Sequence, residues 1–364
     1  MTEGRFIAII YTSALVLIGL IQVFIQTFSK KGYTLGASVP KDVSETETMK
    51  QILKDYKFMT LTMTIFLGLG QYFLTYITKS IGFLTLFFFV SLGLLSLPLI
   101  IYNKNLKNMT ACLSQDKRKI IAIDSNEGKA DLRKILWIGY GASLFVIILA
   151  SIILFINYDK IGETLIMHTD FEGNVTDTAE KTYLNVFYPT LISLVSLIMF
   201  YFINLMVIEV RPRVAKDNPE KSLANNRKAK KAWTYYLGLN AFLMTLLFEV
   251  GVNIFAIKNN SLPLYILTII TIILSIGGAI YLGIKVGTDG SRLDNFADYS
   301  FEEDDKYWML GSMFYNNSED PALFVGKRVG VGFTINIGRP LGKIIMIITI
   351  LILVFAIVSM FIYN

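Results

Sequence analysis

The chain has 364 residues, 54% of them hydrophobic and only 17% charged, and its mean hydropathy is +0.54. A water-soluble domain of this length would not need so much apolar sequence. One cysteine, Cys112, and one histidine, His168, exclude an intramolecular disulfide, a thiolate zinc cage and a multi-histidine metal site.

In chain order, eight stretches approach the roughly 20 apolar residues that a bilayer core demands of a helix. They cover residues 6–28, 58–78, 81–102, 135–157, 187–208, 234–257, 264–284 and 344–363. The second and third form a tight hairpin about Lys79 and Ser80. The first lacks a small-residue cleavage site and reads as a retained span. The expected fold is an all-α polytopic membrane protein with about eight transmembrane helices. A small cytoplasmic β-hairpin-containing domain is expected before the last one. The expected sections are a three-helix region over 1–134, a four-helix region over 135–285 with an outer loop at 158–186, the cytoplasmic domain over 286–343, and the last helix over 344–364.

Orientation follows from the basic residues. With the N-terminus outside, four inward loops hold six, eight, eight and seven lysines and arginines, 29 of the 34 in the chain. Arg5, Lys79, Lys160, Lys181 and Lys258 remain outside. The positive-inside rule selects this orientation, with both termini and the loop 158–186 outside the cell membrane. Trp137 and Trp233 fall at the inner interface, where amphipathic rings anchor helices. The net charge of +6 is thereby assigned to inward loops facing the lipid bilayer, and nucleic acid is not expected as a partner. The basic run 225–231, expected as part of an inward loop, reads as an orientation determinant and contact for anionic lipid heads, or as a site for a specific partner.

Within the outer loop, His168 is the side chain whose unperturbed pKa lies closest to neutrality, and Asp170, two residues on, is placed to pair with it. The pair reads either as a ligand contact or as a tie that orders the loop. Glu249 lies inside the sixth span, outward of its middle, where a charge costs about 2.5 kcal/mol or more. Such a carboxylate should face a cavity or the bundle interior. Asn253 follows one turn later on the same face, and Gly251 permits close approach of another helix. Gln22, Gln26, Gln71 and Asn204 add polar groups to other spans. These residues read either as interhelical hydrogen bonding or as a polar cavity opening outward beneath His168 and Asp170. No internal repeat of the transporter kind is visible.

In the segment 286–343, the acidic run 302–305 lacks the spacing of a calcium loop and reads as a solvated turn. The glycines around Lys327 and Arg328 lack the order of a phosphate loop. Alternation over 333–337 is a strand signal, and the glycines permit turns, so a β-hairpin is expected within 322–338. No nucleophile–base pair, catalytic motif or cofactor motif is found.

Tyr158, Ile161, Leu165, His168, Asp170, Gly173 and Lys181 resemble the extracytoplasmic loop of the SdpI-like bacterial membrane proteins and their uncharacterised relatives. Gly162 and Ile166 stand where that family has prolines. Tyr33 to Pro40 is similar to the relatives' first inward loop. Trp308, Gly311, Asp320–Pro321, Gly330, Gly332, Asn336 and Gly338–Arg339–Pro340 are similar to an uncharacterised C-terminal domain that accompanies the loop. The resemblance implies a binding or sensing protein, as in immunity to a secreted peptide, with an extracytoplasmic peptide as ligand and a cytoplasmic regulator as partner. Alternatives from other classes are a transporter or permease-like subunit using the Glu249 region, and a membrane enzyme.

Overall fold

The structure, a computed structural model, describes residues 3–78, 80–111, 128–169, 174–210, 212, 218–293 and 305–362. Asp170, Gly173, Cys112, Lys79 and the acidic residues 302–304 lie outside them. The chain is mostly helical. Among the described residues, seven helices are long and apolar enough to cross a membrane: Glu47–Ile77, Ile81–Thr110, Lys129–Ile156, Tyr183–Glu209, Pro219–Lys258, Leu262–Lys285 and Pro340–Ser359. A shorter apolar helix covers Ile9–Val23. Their outward faces are apolar, with Ile77, Phe145 and Phe355 largely exposed. This is the polytopic helical class that the sequence leads one to expect, with burial inverted relative to a water-soluble bundle.

The chain divides into two compact units. The first comprises Met1–Ile123, Val210–Leu223 and Ser291–Asn364. Its elements begin with α1 (Glu3–Val23), a 3-10 turn (Ile25–Phe28), the strand pair β1 (Tyr33–Thr34) and β2 (Ala37–Ser38), and the short α2 (Lys41–Ser44). Then come α3 (Glu47–Ile77), α4 (Ile81–Leu95) and α5 (Leu97–Thr110). Thr46 caps α3 by accepting from the Met49 amide at 3.3 Å, which satisfies one orphan donor of the first turn. The span expected over 81–102 is interrupted at Ser96. Pro98 lies in the first turn of α5, where its missing N–H costs no intrahelical bond.

Here α1 packs on α3 and α4, and α4 on the last helix. Polar side chains join the helices: Gln22 donates to the Leu95 carbonyl (2.7 Å), Tyr56 to the Gln22 carbonyl (2.7 Å) and Gln71 to the Leu84 carbonyl (3.2 Å). Gln22 and Gln71 are thus interhelical ties, one of the two readings open from sequence, whereas Gln26 donates to the Tyr33 carbonyl (3.0 Å) and accepts from the Leu35 amide (2.7 Å). At one end of the unit, Leu35, Ala37, Val39, Met49, Tyr56, Leu99, Leu106 and Val329 form an apolar cluster like the core of a soluble domain.

The second unit comprises Asp124–Glu209 and Ala224–Gly290. It contains α6 (Lys129–Ile156), the antiparallel hairpin β3 (Thr164–Thr169) and β4 (Val175–Glu180), and α7 (Tyr183–Glu209). It continues with most of α8 (Pro219–Leu246), a π-helical turn (Leu247–Val252), α9 (Asn253–Lys258) and α10 (Leu262–Lys285). Helices α6 and α7 bury Leu136, Tyr140, Ile147, Leu197 and Ile208 between them. Asn204 donates to the Tyr140 hydroxyl (3.2 Å) and the Thr234 carbonyl (3.0 Å).

The basic run 225–231, expected as loop, is instead helical and continuous with the span. Alanine, lysine and arginine are strong helix formers, and nothing in the run breaks the helix. Two of its polar members and the adjoining Trp233 are docked: Asn226 donates to the Asp289 carbonyl (3.1 Å), Lys230 to the Ile208 carbonyl (2.7 Å), and Trp233 to the Gly287 carbonyl (2.9 Å).

The segment expected as a separate domain over 286–343 folds with the first unit from Ser291 onward. It holds β5 (Trp308–Met309) paired with β6 (Phe314–Tyr315), and β7 (Phe324–Gly326) paired with β8 (Phe333–Ile335). The chain then enters α11 (Pro340–Ile362). The β7–β8 hairpin falls where alternation and turn glycines locate it. Gly330 and Gly332 have φ of 74° and 106°, the left-handed region that favours glycine.

Candidate functional site

Three clusters bear on function. The first is the β3–β4 hairpin. Leu165 points inward and packs with Leu154, Ile161 and Val186, bordered by Tyr158, Phe187 and Ile257. Apolar burial therefore fixes the hairpin on the ends of α6, α7 and α9. Tyr158 stacks on Tyr183 at 4.3 Å between centroids. Lys181 lies 5.0 Å from the centre of the Tyr158 ring and donates to the Ile161 carbonyl at 3.0 Å. The resemblance residues Tyr158, Ile161, Leu165 and Lys181 thus brace the loop.

His168 stands on the open face, its side chain 72% exposed, with Nδ1 3.2 Å from Asp177 Oδ2. Asp170, to which sequence spacing points, lies outside the described residues; among these the carboxylate neighbour of His168 is the cross-strand Asp177. The reason is register: β3 and β4 bring His168 opposite Asp177, with an irregularity on either side of the histidine, so the residue across the hairpin approaches more closely than sequence spacing suggests.

The second cluster surrounds Glu249. The residue sits in the π-helical turn and is only 5% exposed, facing inward as an intramembrane carboxylate should. Thr190 of α7 donates to Oε2 at 3.0 Å. The Asn253 side-chain amide donates to the Glu249 carbonyl at 3.1 Å and lies 3.4 Å from Oε2. A Cβ on Gly251 would lie 3.1 Å from Leu264 Cα, so the glycine lets the turn close on the α10 backbone, as its small size predicts. Glu249 and Asn253 are brought together. His168 remains in the open, and among the described residues no hydrogen bond or ion pair connects it to Glu249.

The third cluster is in the first unit, and sequence reasoning missed the residues at its centre. Arg328 is 2% exposed. Its guanidinium lies 4.5 Å from the centre of the Tyr33 ring and 5.1 Å from that of Trp308. It donates to the Gly36 carbonyl at 3.1 Å and forms an ion pair with Asp305. Asp305 also accepts from the Ser38 amide (3.2 Å) and hydroxyl (2.9 Å). Lys107 of α5 donates to the carbonyls of Asp305 (2.9 Å) and Trp308 (2.8 Å). Asn103 donates to the Leu35 carbonyl (2.8 Å) and to the Ser312 hydroxyl (3.2 Å). The arrangement is a clasp joining β1–β2, α5 and the segment around β5–β8. Trp308, assigned to the C-terminal pattern, forms one wall of it. Arg339 immediately precedes α11, its amide donating to the Asn336 carbonyl at 3.2 Å.

Burial alone would raise the Asp305 carboxyl. The Arg328 charge and the hydrogen bonds from Arg328 and Ser38 outweigh it, and hold the group below the usual carboxylate range. Its contribution to stability is therefore complete at neutral pH. It fades as pH falls into the ordinary aspartate range near 4 and is lost once pH passes the depressed value. The unfolding midpoint should fall on acidification, and Asp305→Asn, less stable at neutral pH, should show a flatter acid limb. Equal acid slopes in the two proteins would assign the acid sensitivity elsewhere.

Residues 318–343 match a family of unknown function (DUF5808). The match covers a small part of the chain, including Arg328, the β7–β8 hairpin and Arg339. No curated protein and no solved structure matches the chain.

Proposed function

We propose that this is a cell-membrane protein of about eight spans, related to the SdpI-like proteins, that recognises an extracytoplasmic peptide or similar ligand and relays its presence to a cytoplasmic partner. In this reading both termini and the β3–β4 hairpin are outside and the Arg328 clasp is inside. The observation that carries it is the seating of the hairpin. Leu165 anchors it in an apolar cluster, so the polar His168–Asp177 face is presented to solvent on a braced platform. Asp170 follows His168 by two residues in sequence, and Glu249 and Asn253 are polar groups among the helices that carry the hairpin. A rigid, exposed, polar surface binds at lower entropic cost than a mobile loop.

The test is survival. Cells expressing the protein should tolerate several-fold more of at least one secreted membrane-active peptide from a defined panel than cells lacking it. The double variant His168→Ala, Asp177→Ala should reach the membrane in normal amount and lose that tolerance. Unchanged tolerance across the panel overturns the recognition reading. Peptide uptake into proteoliposomes would move the assignment to transport.

Topology has its own expected outcome. In a Cys112→Ala background, Asn174→Cys should react in intact cells with a membrane-impermeant maleimide. Glu319→Cys should react only after the membrane is opened. The reverse pattern would invert the protein.

A further inference from the structure

Glu249 poses a problem of charge. A carboxylate enclosed by helices needs a compensating positive group or it loses its charge. Among the described residues no lysine, arginine or histidine forms an ion pair with it. Its Oε2 is occupied by Thr190 and Asn253, whereas Oε1 is buried and has no hydrogen-bond partner. Ser193 lies one turn along α7 from Thr190, and its hydroxyl is also buried with no hydrogen bond. A buried carboxylate oxygen and a buried hydroxyl that each lack a hydrogen bond are uncommon, since nearly all such groups find partners.

The backbone contributes as well. In the π-helical turn the Asn253 amide reaches back to the Phe248 carbonyl, and the Glu249 carbonyl is taken by the Asn253 side chain. The π-turn thus commits both carbonyls to Asn253 within a continuous helix and leaves side-chain oxygens for any ligand, and such turns are frequent at functional sites.

We propose that Glu249, with Ser193 and Thr190, is a binding site for a small monovalent metal cation, sodium in the first instance. The ligand atoms are carboxylate and hydroxyl oxygens, which suit hard cations. There is one carboxylate, and no cluster of three or more acidic, histidine or cysteine side chains exists among the described residues. A single positive charge therefore leaves the buried site neutral, whereas a divalent ion would leave it charged at the desolvation cost of an unpaired ion. The site gives the recognition reading a cation dependence. It rests on that reading only for its consequence, since the ion can be tested without any peptide.

The experiment is thermal unfolding of the full-length protein in detergent at fixed pH, titrated with NaCl, LiCl or KCl against choline chloride at constant ionic strength. Sodium should raise the midpoint by a few degrees in a saturating manner. Glu249→Gln should remove the shift, and Ser193→Ala should weaken the apparent sodium affinity about tenfold or more. A midpoint indifferent to sodium overturns the proposal and leaves Glu249 as a neutral, protonated group. A shift common to all salts, or one retained in Glu249→Gln, overturns it equally. Should Glu249→Gln not fold, the Ser193→Ala titration decides, because an unchanged sodium midpoint there removes the hydroxyl from the site.

Discussion

Arg328→Met should destabilise the first unit by up to about 3 kcal/mol, the lower end for removing one partner of a buried ion pair, since the Asp305 side chain keeps 29% of its exposure. The guanidinium does three things at once: it fills the space between Tyr33 and Trp308, bonds the Gly36 carbonyl and neutralises Asp305. Methionine fills the space alone and leaves Asp305 as a half-buried carboxylate held only by Ser38. Lysine would keep the charge but lacks the planar face and fork that stack and bridge together, so Arg328→Lys should recover only part of the loss. Adding Asp305→Asn to Arg328→Met should cost less than the sum of the single changes, because the stranded charge goes with its partner. In a Trp137→Phe, Trp233→Phe background, Trp308 fluorescence during thermal unfolding in detergent reports the clasp. A parent-like midpoint for Arg328→Met would show that the clasp contributes nothing to stability.

Gly36→Ala should be comparably severe although it adds one carbon. Gly36 has φ of 82°, and an added Cβ would lie 2.6 Å from Ser312 Cβ and 2.8 Å from Val329 Cγ2. Left-handed strain costs about 1–3 kcal/mol and overpacking typically about 1–3 kcal/mol. Neither neighbour can move freely: Ser312 donates to the Gly36 carbonyl at 2.9 Å, and Val329 belongs to the apolar cluster. Gly93 is the control. It sits in α4, where an added Cβ would have nothing within 4 Å, so Gly93→Ala should be neutral or stabilising by up to about 1 kcal/mol. The yield of monodisperse protein on size exclusion separates the two. Equal yields would show that β1–β2 is not locked by the clasp.

The helices were legible because lipid exposure imposes a long apolar run, a local property of sequence. The β7–β8 hairpin was legible for a similar reason, as strand alternation and turn glycines both act over a few residues. Closure of the clasp was not. Ser38 and Asp305 meet across a separation of 267 residues, and no local pattern announces that pairing. Arg328 reads as one more cation in a glycine-rich turn, because burial of a charge leaves no trace in composition. Glu249 and Asn253 were found, since a carboxylate in an apolar run is conspicuous, but the π-helical turn that brings them together has no distinctive residue types. For His168, hairpin register adds Asp177 as a neighbour that sequence spacing does not suggest. Asp170 itself lies outside the described residues.

The π-helical turn acts as a phase shift. One residue added to a helix of 3.6 residues per turn rotates everything beyond it by about 100°, so α8 and α9 present faces out of step with each other on one continuous rod. Removing a single residue within 247–252 would restore a plain α-helix and swing either Glu249 or the whole of α9 around the axis. The surface that α9 offers to β3, and the direction in which the buried carboxylate looks, are therefore set by one inserted residue. A lineage could exchange an ion-holding helix for a purely structural one by a three-nucleotide deletion, with the rest of the bundle unchanged.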